Sequence, residues 1–285
     1  LIEAFAKAHP RRAVDFQTID LEFYQDFTEY LQNRPHSKGA GYSVNAIGKH
    51  IQILKTVLNE ATEQGANHNR AYKSPKFKVL KEESDNVYLT ETELETIYHF
   101  DFSGNTRLDR VRDLFLVGCW TGLRFSDLST LNPDKHLNGD TIEIEQYKTG
   151  GRVVIPVHPT VRAILDKYEN RLPATISNQK FNDYLKEVCR LAGISERVQK
   201  GITKAGLRVV THFDKWQMVS THTARRSFAT NLYMMGVPSI TIMQITGHKT
   251  EKAFLKYIKA SPQEHAKILK LHWKRRAGQH LKVVS

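Results

Sequence analysis

Apolar positions along the chain recur mostly at helical spacing. Leu21, Tyr24, Phe27 and Leu31 share one face of a segment running from Thr18 to Arg34. A second segment opens at Ser43, carries Val44, Ile47, Ile51, Leu54 and Leu58 on one face, and stops at Gly65. Its polar side offers Asn45, Lys49, His50 and Lys55. Residues 1–17 have no comparable period and read as a loop closing an earlier element. From 69 to 86 the chain turns basic, then acidic, with little periodicity, as a linker does. Thr90, with Glu93 three positions on, has the form of a capping box and opens a new helix. The run LFLVGCW predicts a buried helix, in which Gly118 and Gly122 permit close packing or a turn.

Alternation replaces the helical period at GDTIEIEQYKTGGRVVIPV, which predicts strand, turn and strand with KTGG at the turn. Two helical stretches follow, PTVRAILDKYENRL and SNQKFNDYLKEVCRLAG. An irregular, β-containing insert then leads to a helix at THTARRSFATNLYMMG and a short one at VPSITIMQITGH. After Tyr257 the residues Ala266, Ile268, Leu269 and Trp273 give a last short helix an apolar side. The fold class expected is mainly α with a small β-sheet (α+β), divided into helical residues 1–82 and a larger domain, 83–285.

Charge changes the picture from fold to partner. A chain of 285 residues with 40% hydrophobic and 25% charged residues is an ordinary globular composition, but its net charge is +12. The excess is uneven. Residues 34–81 hold nine Lys and Arg against two acids, and 249–285 hold ten against two, while 1–33 are acidic. Concentrated positive charge of this kind suits nucleic acid, with Lys49, Lys55, Lys73, Lys76 and Lys78 as candidate DNA-binding residues. No apolar run approaches the roughly 18 residues that span a bilayer, and the opening residues lack the layout of a signal peptide, so no membrane partner is expected. Cys119 and Cys189 stand far apart in apolar helical contexts. They call for neither a zinc site nor a disulfide, fit core packing, and suit a reduced cytoplasm.

The chemistry gathers between Thr221 and Lys259. His222 and Arg225 are three residues apart on one helix and share a face. His248 closes a Gly-His stop, and Tyr257 follows it by nine residues. A guanidinium pairs with phosphate, imidazoles move protons near neutral pH, and a tyrosine oxygen can attack phosphorus once its proton is removed. Upstream, Arg124 follows the buried run in TGLRFSDLSTL; so apolar a setting requires it to be paired with Asp127 or to face a site. No Asp/Glu cluster has metal-ligand spacing, so neither metal nor other cofactor is expected.

These residues, Arg124 with Asp127 and Leu128, Lys148, His222 with Arg225, Gly247-His248 and Tyr257, occur in the order of the tyrosine recombinase pattern. The chain resembles the phage integrase family over residues 18–275, most strongly over 108–260. That resemblance implies a core-binding, SAM-like helical domain followed by a tyrosine-recombinase catalytic domain, as in integrases of mobile elements. It implies that Arg124, Arg225 and His248 hold the scissile phosphate, with Asp127 in support. Tyr257 would attack to form a 3′-phosphotyrosine, His222 would assist at the tyrosine, and Lys148 would be the mobile acid for the departing 5′ oxygen. Tyr233 is the fallback nucleophile.

By the same resemblance the partner is double-stranded DNA bearing recombination sites. A homo-tetramer would form on it by exchange of the C-terminal segment, with accessory DNA-bending proteins possible partners, in the nucleoid of a bacterial cytoplasm. The terminal helix can dock on its own chain or on a neighbour. The opening without Met fits a fragment that lacks an N-terminal arm-binding domain. A type IB topoisomerase, a non-catalytic DNA-binding regulator and a telomere resolvase are the alternatives. The basic helical domain and the apolar C-terminal helix favour recombination.

Overall fold

Helix α1 (Ile2–Ala8) is held by a single side chain. Phe5 is fully buried and meets Phe23 and Phe27 edge-on, each at 5.3 Å between ring centroids. The loop expected over 1–17 therefore begins only after this helix, which is too short to display a period. The computed structural model describes residues 1–36, 39–83, 85–204, 207–258, 260, 262–263, 265–266, 268–270 and 273. It divides the chain into Leu1–Asp85 with Gln199–His212, and Asn86–Val198 with Phe213–Ser285.

In the first unit, Asp20 caps helix α2 (Leu21–Asn33) by accepting from the Phe23 N–H. Arg12 closes onto Asp20 at 3.2 Å and also pairs with Asp26. Two-residue strands β1 (Pro35–His36) and β2 (Gly39–Ala40) pair antiparallel before helix α3 (Val44–Glu63), which Ser43 caps. Phe23, Phe27 and Leu31 face Ile47, Ile51, Leu54 and Leu58 in one core. The segment after α3 departs from the expected linker. Tyr72 and Phe77 are buried in that same core, and Asn69 Nδ2 donates to the carbonyls of Phe16, Gln17 and Ile19, all at 3.1 Å. Residues 69–77 are thus a strap of this unit. Two large aromatics inserted without periodic spacing explain why the pattern hid it.

The second unit begins at helix α4 (Glu91–His99), where the capping box of Thr90 and Glu93 forms in both directions. Helix α5 (Thr106–Thr121) is buried along nearly its whole length, because other helices cover it on several sides. It ends at Gly122, whose φ of +66° and whose contact with the Phe228 ring, 2.4 Å from where a Cβ would stand, both require glycine. Short helices α6 (Phe125–Ser129) and α7 (Pro133–His136) lead into an antiparallel sheet of β3 (Leu137–Asn138), β4 (Thr141–Glu145) and β5 (Arg152–Pro156), in that order. Ile142 pairs with Ile155 and Ile144 with Val153, which fixes the register that carries Lys148 to the connecting turn. Helices α8 (Pro159–Lys167) and α9 (Asn178–Leu191) complete the packing around α5.

The insert expected to be irregular is a regular pair of strands, β6 (Arg197–Lys204) and β7 (Leu207–Asp214), exposed along most of β7. Few of its side chains are buried, so no alternation marks it. Its residues 199–212 group with the first unit, where Gly201 N–H donates to Asp85 and Thr203 to Glu82. Helix α10 (Lys215–Met218) follows, then α11 (Thr221–Met234), α12 (Ser239–Thr246) and α13 (Glu251–Leu255). Cys119 and Cys189 are both buried thiols of the core, and burial pushes both pKa values up. Among the described residues no helix is long and apolar enough to cross a membrane. Past Tyr257, the described residues 262–263, 265–266, 268–270 and 273 are helical. Lys267, Lys274, Arg275 and Arg276 of the basic C-terminus lie outside the described residues.

Candidate active site

Arg225 projects from the first turns of α11 into the second unit and is 1% exposed. Its Nη1 donates to the Gly122 carbonyl at 2.7 Å, and its Nη2 to the carbonyl of Thr246. Gly122 caps the C-terminus of α5 and Thr246 is the last residue of α12, places where helix ends leave carbonyls without partners inside the helix. The arginine therefore satisfies the chain ends that hold it. Its Nε is buried with no hydrogen-bond partner among the described residues. Burial and the nearby Arg124 push its pKa down to about 10, so it remains a cation at neutral pH.

Arg124 precedes α6 and reaches the same region. Its Nη1 donates to Gln146 Oε1 at 2.7 Å and lies 3.8 Å from Asp127 Oδ2. Asp127 is buried, and its other oxygen accepts from the Tyr147 N–H at 3.0 Å, linking α6 to the turn between β4 and β5. The single salt bridge considered from sequence is thus a long contact, and the firm bond of Arg124 goes to a glutamine.

His248 follows α12 across Gly247, whose φ is +64°. Its Nδ1 lies 2.7 Å from the Thr246 hydroxyl, and its ring meets that of Tyr257 at 4.6 Å and 62°. Burial, then Arg225 and Arg124, lowers its pKa to about 4. His222 stands at the start of α11 with an exposed side chain. Desolvation lowers its pKa, followed by Arg226, Arg225, Lys148 and Arg124. Lys148 is exposed on the β4–β5 turn and makes no hydrogen bond or ion pair with a described residue.

Tyr257 is partly buried just beyond α13, where its N–H donates to the Phe254 carbonyl at 2.7 Å. Two guanidinium carbons lie over its ring, Arg225 at 5.8 Å and Arg226 at 5.7 Å from the centroid. Tyr233, by contrast, is engaged through its hydroxyl with His265 Nδ1 at 3.4 Å. The structure therefore brings Arg124, Arg225, His248 and Tyr257 together, with His222 and Lys148 within electrostatic reach. Sequence reasoning missed Gln146, Thr246 and Arg226. Arg226 was the most accessible of these, since it adjoins Arg225 in the helix that carries His222.

The candidate DNA-binding lysines divide. Lys49, Lys73, Lys76 and Lys78 are exposed. Lys55 is not a free cation: its ammonium donates to the Phe77 carbonyl at 2.9 Å and sits 5.5 Å from that ring. Among the described residues no three of His, Cys, Asp and Glu are grouped as metal ligands would be.

The arrangement gathers cations and imidazoles beside the carboxylate of Asp127; burial first, and then neighbouring positive charge, lowers the pKa values of Arg225, His248 and His222. Such a site stabilises an anion that arrives, and beside it lies a phenol. Residues 87–264 match the model of the phage integrase family, and residues 1–79 that of the phage integrase SAM-like domain. Similar solved structures include a lambda integrase dimer bound to a COC′ core site, at 17% identity and TM-score 0.63, covering 90% of this chain and 86% of that one. A Tn1549 transposon integrase in complex with circular intermediate DNA has 17% identity and TM-score 0.59, covering 93% and 90%. The XerH site-specific recombinase bound to a palindromic difH substrate has 18% identity and TM-score 0.62, covering 94% and 76%. No curated protein sequence matches the chain.

Proposed function

Because the chain belongs to the phage integrase family and is a site-specific recombinase acting on DNA, we propose that Tyr257 is its nucleophile and that Arg124, Arg225 and His248 bind the scissile phosphate. The observation that carries this assignment is geometric: the His248 ring stands 4.6 Å from that of Tyr257, the Arg225 guanidinium lies 5.8 Å over the same ring, and Thr246 holds both Arg225 and His248. Positive charge that is costly to the free protein is neutralised when a phosphodiester enters.

The Tyr257 oxygen attacks phosphorus while His222 takes its proton. The bond from phosphorus to the 5′ oxygen breaks, and Lys148, on its exposed turn, protonates that oxygen. The product is a 3′-phosphotyrosine and a free 5′ hydroxyl. A 5′ hydroxyl from a partner duplex reverses the attack and releases Tyr257. The energy of the phosphodiester is kept in the covalent bond, so the scheme uses neither ATP nor metal. Exchange between duplexes calls for four copies on DNA, joined through their C-terminal segments and assisted by DNA-bending proteins, acting on a bacterial nucleoid in the cytoplasm. Charge on the exposed lysines of the first unit gives that assembly affinity without sequence information.

The test is to trap covalent adducts from a pool of duplexes with a randomised core and sequence the junctions. Wild type is expected to give SDS-resistant adducts in EDTA, linked through Tyr257, and Tyr257→Phe to give none while still shifting the duplex. An adduct that persists in the Phe variant, or cleavage that vanishes on chelation and returns with magnesium, overturns the scheme.

A further inference from the structure

Gln146 follows the last residue of β4 and is fully buried, an unusual place for an amide with no evident role in the sheet. Each of its polar atoms is engaged. Oε1 accepts from Arg124 Nη1 at 2.7 Å and from the Thr149 hydroxyl at 2.9 Å, and Nε2 points to the Ile245 carbonyl at 3.4 Å. The backbone of Gly247 passes so close that a Cβ there would stand 2.1 Å from Oε1. One side chain thus meets the arginine after α5, the turn beside Lys148, and the Gly-His corner after α12.

We infer that Gln146 is a positioning residue, which presents Arg124 to the scissile phosphate without spending its charge. This rests on the role given to Arg124 under the proposed function. The chemistry of the amide is the reason. A carboxylate at this distance would hold the guanidinium equally well but cancel the charge that phosphate binding needs. The neutral oxygen fixes Nη1 and leaves the other N–H groups of Arg124 with no hydrogen bond to a described residue. Asp127 supplies a counter-charge only at 3.8 Å, with one of its oxygens already taken by Tyr147. Gly247 is required on two grounds, its left-handed φ and the space that Gln146 occupies.

The experiment uses the full chain and a suicide duplex bearing the junction mapped by adduct trapping. Gln146→Leu is expected to slow covalent adduct formation by up to about 100-fold, as a misplacement of a positioned group by an ångström can. Single-site binding in a gel shift should stay within about threefold of wild type, since most affinity comes from other phosphates. The discriminating readout is a duplex with methylphosphonate at the scissile position. Removing one oxygen removes the charge that Arg124 must stabilise, so wild type and variant should converge. In a double-mutant cycle, Gln146→Leu added to Arg124→Ala should cost nothing further.

Gln146→Glu guards against a folding defect in the Leu variant. It keeps the shape and the acceptor for Arg124, gives up only the long donation to the Ile245 carbonyl, and cancels the arginine's charge, so it is expected to show the same loss on phosphate and the same recovery on methylphosphonate. Wild-type cleavage through Tyr257 with undiminished cleavage by both variants overturns the inference and leaves the nucleophile assignment standing. So does an equal defect on both substrates. Recovery confined to a duplex with a 5′-bridging sulfur, which departs without an acid, would also overturn it by placing the effect at Lys148. Absence of any wild-type adduct overturns the proposed function, and the inference with it.

Discussion

The Thr246 hydroxyl and His248 Nδ1 lie 2.7 Å apart, and the same hydroxyl lies 2.7 Å from the Ile242 carbonyl. A hydroxyl has one proton, and the carbonyl can only accept. The Thr246 proton therefore goes to Ile242, and His248 donates from Nδ1 to the Thr246 oxygen. Nε2 is left as the free ring nitrogen. The carbonyl of the same threonine receives Arg225, so one buried residue orients both a guanidinium and an imidazole.

This geometry sets a pH dependence. The His248 pKa is about 4 in the folded protein, against about 6.5 for an unperturbed histidine. Between those values the unfolded chain holds a proton that the native site does not, so stability falls as pH drops from about 6.5 toward 4. His222, His158 and His50 are lowered in the same direction and add to the slope. Urea unfolding of the DNA-free protein at pH 7.5 and 5 should show His248→Gln losing less stability than wild type. Equal losses would mean that His248 is not held neutral.

Asp127 supports a second expectation. Asp127→Asn keeps an acceptor for the Tyr147 N–H but removes a buried charge near Arg124 that also favours the Arg225 cation. Removing one partner of a buried pair typically costs about 3 kcal/mol. A bound phosphate supplies replacement charge, so the loss should be smaller with the mapped duplex present. Urea titrations with and without DNA measure both. A loss undiminished by DNA would assign Asp127 to packing alone.

Residues that announce themselves locally were legible in the sequence. The capping box at Thr90, the placing of His222 and Arg225 on one helix and the strand, turn and strand around Lys148 all depend on neighbours within a few positions. Gln146 was not legible, because its partners Arg124 and Ile245 lie 22 and 99 residues away and no period marks a lone amide. The strap at 69–77 stayed hidden for a related reason. Tyr72 and Phe77 bury themselves by long-range packing, which leaves no helical or strand pattern. Helix α1 has one buried anchor, and the β6–β7 pair has few buried side chains to create alternation.

Salt dependence separates the lysines of the first unit. Removing a lysine that neutralises one phosphate should reduce the slope of log affinity against log salt by about 0.9. Replacing the exposed Lys49, Lys73, Lys76 and Lys78 one at a time with Gln should lower that slope wherever the lysine meets DNA. Lys55→Gln should leave the slope unchanged and lower stability instead, since its ammonium is bound to Phe77. A Lys55 variant that changes the slope at constant stability would show that this bond opens on DNA.

The C-terminal segment distinguishes exchange between copies from docking at home. It touches its own chain through His265, whose ring packs 5.6 Å from that of Tyr233. Beyond that residue Leu269 and Trp273 remain 48% and 62% exposed. Covering such side chains is worth roughly 1.5–3 kcal/mol each, enough to bias assembly on DNA without forcing it in solution. Leu269→Ser with Trp273→Ser retains every charge, so phosphate affinity is preserved. Gel shifts should then show the one-site complex intact and the two-site complex weakened, with strand exchange reduced in proportion. His265→Ala is the control, because it loosens only the packing against Tyr233 and should leave the two-site complex in place. If both complexes persist in the Leu269 and Trp273 variant and recombination proceeds at the wild-type rate, the segment does not join copies, and the assembly must rest on other surfaces.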